Sequence, residues 1–202
     1  MVGRQLLAQL RASPKYEIVH CTRRALDEPD AHQVDFTAPN VELGGCDVGF
    51  CALGTTIKQA GSKQAFERVD FDAVVQFAKW CKDAGARSFV LVTSLGADPN
   101  SSVFYNKVKG RVQEAVRALG FARLVVLQPS VLDGERTESR PGEAFALAIL
   151  RGVVPVMGGP LRRYRPSRAI DVARAMVHLA EGPEESLRIV PAEEIPALSA
   201  QP

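Results

Sequence analysis

The stretch Ser88-Phe-Val-Leu-Val-Thr93 followed by Ser94 constrains this chain more than any other. It is a short, continuous, β-branched apolar run of the kind found in a strand buried on both faces. Beyond the intervening loop, Val108, Val112, Ala115, Val116 and Leu119 recur at helical spacing. A strand covered on both sides and feeding a helix implies a parallel sheet with helices in front and behind. Ser94 then lies where the strand ends, and Tyr105 and Lys109 open the helix. Residues four apart share a helical face, so the phenol and the ammonium point the same way. A nearby ammonium favours phenolate, which makes Tyr105 a credible acid/base, with Ser94 as a hydroxyl donor to a substrate oxygen. The bland alternative is a packed tyrosine and a solvated lysine; position after a strand-end serine is what favours chemistry.

The remaining pattern extends this alternation. Val2 to Leu10 reads as an amphipathic helix, Tyr16 to Thr22 and Asp47 to Gly54 as strands, and Gln33 to Phe36 as a short strand candidate. A long helix is predicted over about Glu67 to Asp83, stopped by Gly85. Arg123 to Gln128 reads as a strand closed by Pro129, about Gly142 to Arg151 and Ile170 to Glu181 as helices, and Leu187 to Val190 as a last strand. Pro191 to Pro202 reads as a tail. The expectation is an α/β fold with a doubly wound, mainly parallel sheet, in one domain over residues 1–202. Such sheets bind ligands at the carboxyl ends of their strands. Those ends carry Arg23-Arg24, Gly54-Thr55-Thr56, Ser94 and Pro129-Ser130.

Composition narrows the class. At 202 residues and 46% hydrophobic, the chain is long enough to bury a substantial core. A formal charge of +2 is too small to suggest nucleic-acid binding, and no stretch approaches a membrane span. Four cysteines without a Cys-x-x-Cys pair, and three scattered histidines, give neither a disulfide framework nor metal-ligand spacing. Cys46 and Cys51 read as packing residues with no partner thiol at a telling spacing. The expectation is a reduced, cytoplasmic protein with no metal, nucleic-acid or membrane partner. Arg162, Arg163, Arg165 and Arg168 read as a solvated rim or an acidic-group contact, and Trp80 as packing.

Ser94 with Tyr105-x-x-x-Lys109 resembles the catalytic set of the short-chain dehydrogenase/reductases. The likeness is closer to an atypical branch, the Tat-interacting oxidoreductase-like proteins and their bacterial relatives. Its carriers are Cys51-Ala-Leu-Gly-Thr-Thr56, Val69-Asp70, Thr93-Ser-Leu-Gly-Ala-Asp98, Ser101-Ser102, Phe104-Tyr105, Lys107-Val-Lys-Gly110 and Glu138-Ser-Arg-Pro-Gly-Glu143. The resemblance covers roughly residues 2 to 190. It implies a Rossmann fold binding NADP(H), with Tyr105 as proton donor or acceptor, Lys109 on the nicotinamide ribose and Ser94 on the substrate carbonyl. Arg23 and Arg24 stand where NAD-specific members usually carry an acid, which favours a 2′-phosphate and hence NADPH. Asp35-Phe36 would flank the adenine, Leu53-Gly54 with Thr55 the ribose and nicotinamide side, and Pro129-Ser130 the carboxamide.

One departure stands out. Family members begin with a strand and Gly-x-x-Gly-x-x-Gly; this chain starts Met1-Val-Gly3, so Gly3 fits the last glycine while the strand and earlier glycines are absent. The missing strand would be central, and its loss would expose two rows of backbone groups. Either the start is set too late, by about ten residues, or a short form binds cofactor poorly. The function implied is an NADP(H)-dependent oxidoreductase acting on a carbonyl/alcohol pair of a small-molecule substrate, with residues 135–190 on the substrate side. The alternative is a non-catalytic NADP(H)-binding regulator. Oligomeric state is open, with a homodimer the form common in related folds.

Overall fold

The computed structural model describes residues 1–23, 25–28, 30–133 and 159–201. The expected helix at about Gly142 to Arg151, Arg24 and the Glu138–Glu143 motif lie outside them. Val2–Arg11 form α1, whose Val2, Leu6 and Leu10 are buried on one face. His20–Thr22 (β1) and Ala31–Gln33 (β2) follow, then Val48–Cys51 (β3). Two short helices, Ile57–Ala60 (α2) and Lys63–Glu67 (α3), start at Thr56 and Ser62, whose hydroxyls accept from the Gln59 and Ala65 N–H groups.

The helix expected from Glu67 therefore begins earlier. It passes through a π-helical turn, Arg68–Asp72, before resuming as α4 (Ala73–Asp83). Gly85, at φ +99°, ends α4: Ala86 N–H donates to Cys81 O and Gly85 N–H to Lys82 O, a reversal that a side chain at this φ would strain. Ser88–Val92 (β4), Phe104–Arg117 (α5) and Arg123–Gln128 (β5) complete the central repeat. Leu132–Asp133 (β6), Ser167–Arg168 (β7), Ala169–Ala180 (α6), Glu185–Pro191 (β8) and Ile195–Ser199 (α7) close the described chain. The segment expected to be a tail holds α7, because Ile195 and Leu198 are apolar, one turn apart and buried in the core.

Every strand pairing among the described residues is parallel. The main sheet runs β3-β4-β5-β8. Alternate residues of β4 and β5 point to opposite faces. Val90, Val92, Val125 and Leu127 pack with Val172, Met176 and Leu179 of α6, Leu6 and Leu10 of α1, and Ile195 of α7. Phe89, Leu91, Leu124 and Val126 pack with Val74 and Ala78 of α4 and Val112 and Val116 of α5. Two helical layers on one parallel sheet make the fold doubly wound, as the apolar runs predict. Each fully buried Val, Leu, Ile, Phe or Met side chain among these contributes roughly 1.5–3 kcal/mol.

The sheet is not continuous. Among the described residues β1 pairs only with β2, in a separate two-stranded ribbon, and β3 is the edge of the main sheet. Between β1 and β3 lies a cavity of about 1030 Å³, roofed by Leu6 and Leu10 of α1 and floored by Phe36, Phe77 and Cys81. The two rows of backbone groups expected from a missing central strand border this cavity. The ribbon is shorter and shifted relative to expectation, since Val34 and Phe36 leave it for a small core with Ala73 and Trp80. Trp80 is a packing residue as read, stacked on Phe36 with centroids 5.5 Å apart.

Candidate active site

The carboxyl ends of β3, β4 and β5 carry the candidate residues. Thr93 N–H donates to Leu127 O at 2.9 Å and Leu95 N–H to Pro129 O at 2.8 Å, so the loops after β4 and β5 run side by side. Ser94 lies between these two bonds. Its hydroxyl is buried and has no hydrogen-bond partner among the described residues. Behind it, Gln113 bridges Thr93 Oγ1 (2.8 Å) and the Gln128 amide (3.3 Å).

From Ser94 the chain folds back on α5. Asp98 N–H donates to Asn106 O, and Asn100 N–H and Val103 N–H are capped by Asp98 and Ser101 side chains. Gly110 allows this approach: a Cβ there would lie 2.1 Å from Pro99 N and 2.2 Å from Asp98 C.

Tyr105 and Lys109 occupy successive turns of α5 and face the helix that carries Phe66 and Asp70, likewise four residues apart. The Tyr105 ring lies 5.5 Å from that of Phe66, centroid to centroid. Lys109 Nζ lies 2.7 Å from Asp70 Oδ1. Asp70 is fully buried, Lys109 is 4% exposed, and Asp70 Oδ2 accepts the Thr55 N–H at 2.9 Å. Burial pushes the Asp70 carboxyl up from its ordinary range, while the Lys109 ammonium and the Thr55 N–H pull it back. Lys109 was expected to act on Tyr105 and on the nicotinamide ribose; its charge is also shared with Asp70. Only the family likeness pointed to Asp70. The available signal was an acid on the apolar stripe between Phe66 and Val74, where burial demands a partner.

Gly54 completes this cluster. A Cβ at Gly54 would stand 3.3 Å from Asp70 Oδ1 and 3.6 Å from Lys109 Nζ, so its bareness keeps space open in front of the ion pair. The structure therefore brings Gly54, Thr55, Asp70 and Lys109 together, with Ser94 on the next strand end and Leu53 half-buried beside them. No hydrogen bond joins Ser94 to Tyr105 among the described residues.

The other expected residues are more dispersed. Gly3 sits in the first turn of α1, where a Cβ would lie 4.0 Å from Ala52 Cβ, so α1 rides over the end of β3. Arg23 is exposed just past β1. Asp35 is spent on a local turn, accepting from Thr37 N–H (2.8 Å) and Thr37 Oγ1 (2.7 Å), and these bonds hold its carboxyl below the ordinary range. With Phe36 stacked on Trp80, both members of the expected adenine pair are already engaged. Ser130 is committed to the β6–β7 ribbon, its N–H donating to Ser167 Oγ (3.2 Å) and its hydroxyl to Arg165 O. Arg162, Arg163 and Arg168 are exposed. Among the described residues no cluster suits a metal ion, and no helix is long and apolar enough to cross a membrane.

No protein-family model matches the chain. Curated relatives do. Protein FMP52, mitochondrial, of Debaryomyces hansenii is 36% identical over 193 residues, spanning 91% of this chain and 84% of that protein. Protein HTATIP2 of Rattus norvegicus is 47% identical over 117 residues, which are 58% of this chain and about half (47%) of the rat protein. Among solved structures, human epimerase family protein SDR39U1 with NADPH superposes with a TM-score of 0.65 at 18% identity, covering 95% of this chain and 71% of that one. The cytoplasmic expectation does not stand, because several of these relatives are named mitochondrial proteins. With a parallel doubly wound sheet, the strand-end serine and the Tyr105-x-x-x-Lys109 helix in place, the chain belongs to the FMP52 family.

Proposed function

We propose that the chain is an NADP(H)-dependent oxidoreductase that interconverts a carbonyl and an alcohol on a small organic substrate. The observation that carries this reading is the bare surface of Gly54 in front of an ammonium fixed by a buried carboxylate. That combination suits a ribose, whose hydroxyls need a rigid donor and close backbone approach. Reduced nicotinamide dinucleotide, when bound, supplies the hydride. Lys109 holds the ribose hydroxyls, while Leu53, Gly54 and Thr55 line that side. Ser94, with its free hydroxyl, donates to the substrate oxygen, and Tyr105 gives or takes the proton at that oxygen. Arg23, with Arg24 beside it in sequence, takes the 2′-phosphate. Gly3 lets α1 approach the pyrophosphate side, Asp35 lies toward the adenine, and Pro129 and Ser130 face the carboxamide. The NADPH named with SDR39U1 supports the choice of nucleotide.

Hydride transfer from NADPH to a panel of small aldehydes and ketones tests this reading. Tyr105→Phe should lower turnover about 100-fold or more while NADPH binding, read by its fluorescence, stays unchanged. Undiminished turnover removes Tyr105 from the chemistry. One observation favours a second reading, a non-catalytic NADP(H)-responsive regulator: Lys109 is already neutralised by Asp70. NADPH binding without hydride exchange across the whole panel, together with a protein partner bound only in its presence, would select it.

A further inference from the structure

All four cysteines line the cavity between the two sheets: Cys21 in β1, Cys46 just ahead of β3, Cys51 ending β3 and Cys81 in the last turn of α4. Two of them interact. Cys46 N–H donates to Ala84 O at 3.0 Å, and the reversal at Gly85 lays Cys46 over the end of α4. There Cys46 Sγ donates to Val48 O at 3.6 Å, and Cys46 and Cys81 line the same cavity. Cys81 is 1% exposed and tightly surrounded, since a Cβ on Gly49 would stand 2.8 Å from its sulfur. Cys46 is half-buried and open to the cavity.

The environment divides their roles. The Cys81 thiol holds the Cys46 thiol below its ordinary range, whereas the Cys46 thiol and then burial push Cys81 up. Burial also pushes Cys21 to about 11 and Cys51 to about 12. Of the pair, Cys46 is the sulfur that a small oxidant can reach, because it is half-buried at the cavity while Cys81 is buried. No cysteine spacing announces this pair, because residues 46 and 81 meet only through the α4 reversal.

We propose that Cys46 and Cys81 form an oxidation site for small hydroperoxides, with Cys46 as the attacking thiolate and Cys81 as the resolving thiol. Cys46 sulfur attacks the terminal oxygen of ROOH, the O–O bond breaks, and RO⁻ leaves to be protonated as ROH. Cys81 sulfur then attacks the Cys46 sulfenic acid; hydroxide leaves, takes the Cys81 proton and departs as water. Two thiols lose two electrons and the peroxide gains them. The resulting disulfide ties the segment that opens β3 to the end of α4. This site stands independently of the nucleotide reading.

Titrating the full chain with hydrogen peroxide, then alkylating and mapping peptides by mass, tests the proposal. The expected result is a Cys46–Cys81 crosslink, with two of the four thiols lost on a denatured thiol count. Cys81→Ser should leave a Cys46 sulfenic acid that dimedone traps, and Cys46→Ser should abolish the crosslink and spare Cys81. A Cys21–Cys46 crosslink, uniform oxidation of all four, or an unmodified Cys46 under excess peroxide would overturn it. Should Cys81→Ser fail to fold, as judged by circular dichroism, Cys46→Ser decides: oxidation of Cys81 undiminished in that variant refutes the assigned order.

Discussion

Asp70 and Lys109 form an ion pair of 2.7 Å inside the protein, between a π-helical turn and the second turn of α5. Neither partner has water to fall back on. The Thr55 N–H satisfies the second carboxylate oxygen, so the pair also anchors the loop after β3. Removing one partner strands the other charge in a low-dielectric setting. Asp70→Asn should destabilise the fold by about 3–5 kcal/mol, read as a lower denaturant midpoint. The double substitution Asp70→Asn with Lys109→Met should recover much of that loss. Additive losses in the double variant would show that the two charges are not coupled.

Gly110 tests how closely α5 and the loop after β4 must approach. Gly110→Ala drives a methyl into Pro99 and Asp98 backbone, which cannot rotate away as a side chain would. A loss of about 1–3 kcal/mol is expected, with line broadening of Ser94 to Val103 amide resonances. A wild-type midpoint would mean that the loop yields freely.

Acid should loosen one side of the molecule first. Arg11 binds Asp30 and Glu28, tying α1 to the β1–β2 ribbon, and Lys15 and Tyr16 bind Glu181 at the end of α6. These contacts hold the Glu28, Asp30 and Glu181 carboxyls below their ordinary values. A depressed carboxyl contributes stability that is full above its unfolded pKa, about 4, and is lost as pH falls through the folded value. Amide resonances of α1, β1 and β2 should therefore shift on acidification to roughly pH 3, before those of β4 and β5. Simultaneous loss of both groups would contradict this order.

The gap beside β3 predicts the effect of an added strand. About six β-branched residues and a glycine turn, joined ahead of Met1, should enter the cavity and pair with β1 and β3. The expected gains are slowed amide exchange in both strands and NADPH affinity raised by about tenfold or more. Equal affinity with and without the added segment would show that the gap does not limit binding.

Much of this architecture is legible in the sequence, for a physical reason. β4 and β5 are buried on both faces, so Phe-Val-Leu-Val and Leu-Val-Val-Leu carry their own assignment. The same holds for Ser94, Tyr105 and Lys109, whose positions follow from one strand end and one helical turn. Features built by contacts distant in sequence are harder to read. The pairing of Asp70 with Lys109 spans thirty-nine residues of sequence, and the placing of Cys46 at the end of α4 depends on a helix-end reversal. The ribbon around Ala31 to Gln33 was misplaced because Val34 and Phe36, which look like strand residues, are drawn into contact with Trp80. Helix α7 escaped notice because two apolar residues in a five-residue helix give too little periodicity.

Among the described residues no ladder crosses the seam between the ribbon, which Arg23 follows, and the larger sheet, which leads to Gly54 and Ser94. Any elongated molecule touching both banks becomes a clasp, doing mechanically what a shared row of amide bonds does in an unbroken sheet. Occupancy and stiffness should rise together in such a protein, so that its tightest ligand is also the one that most restrains its motion.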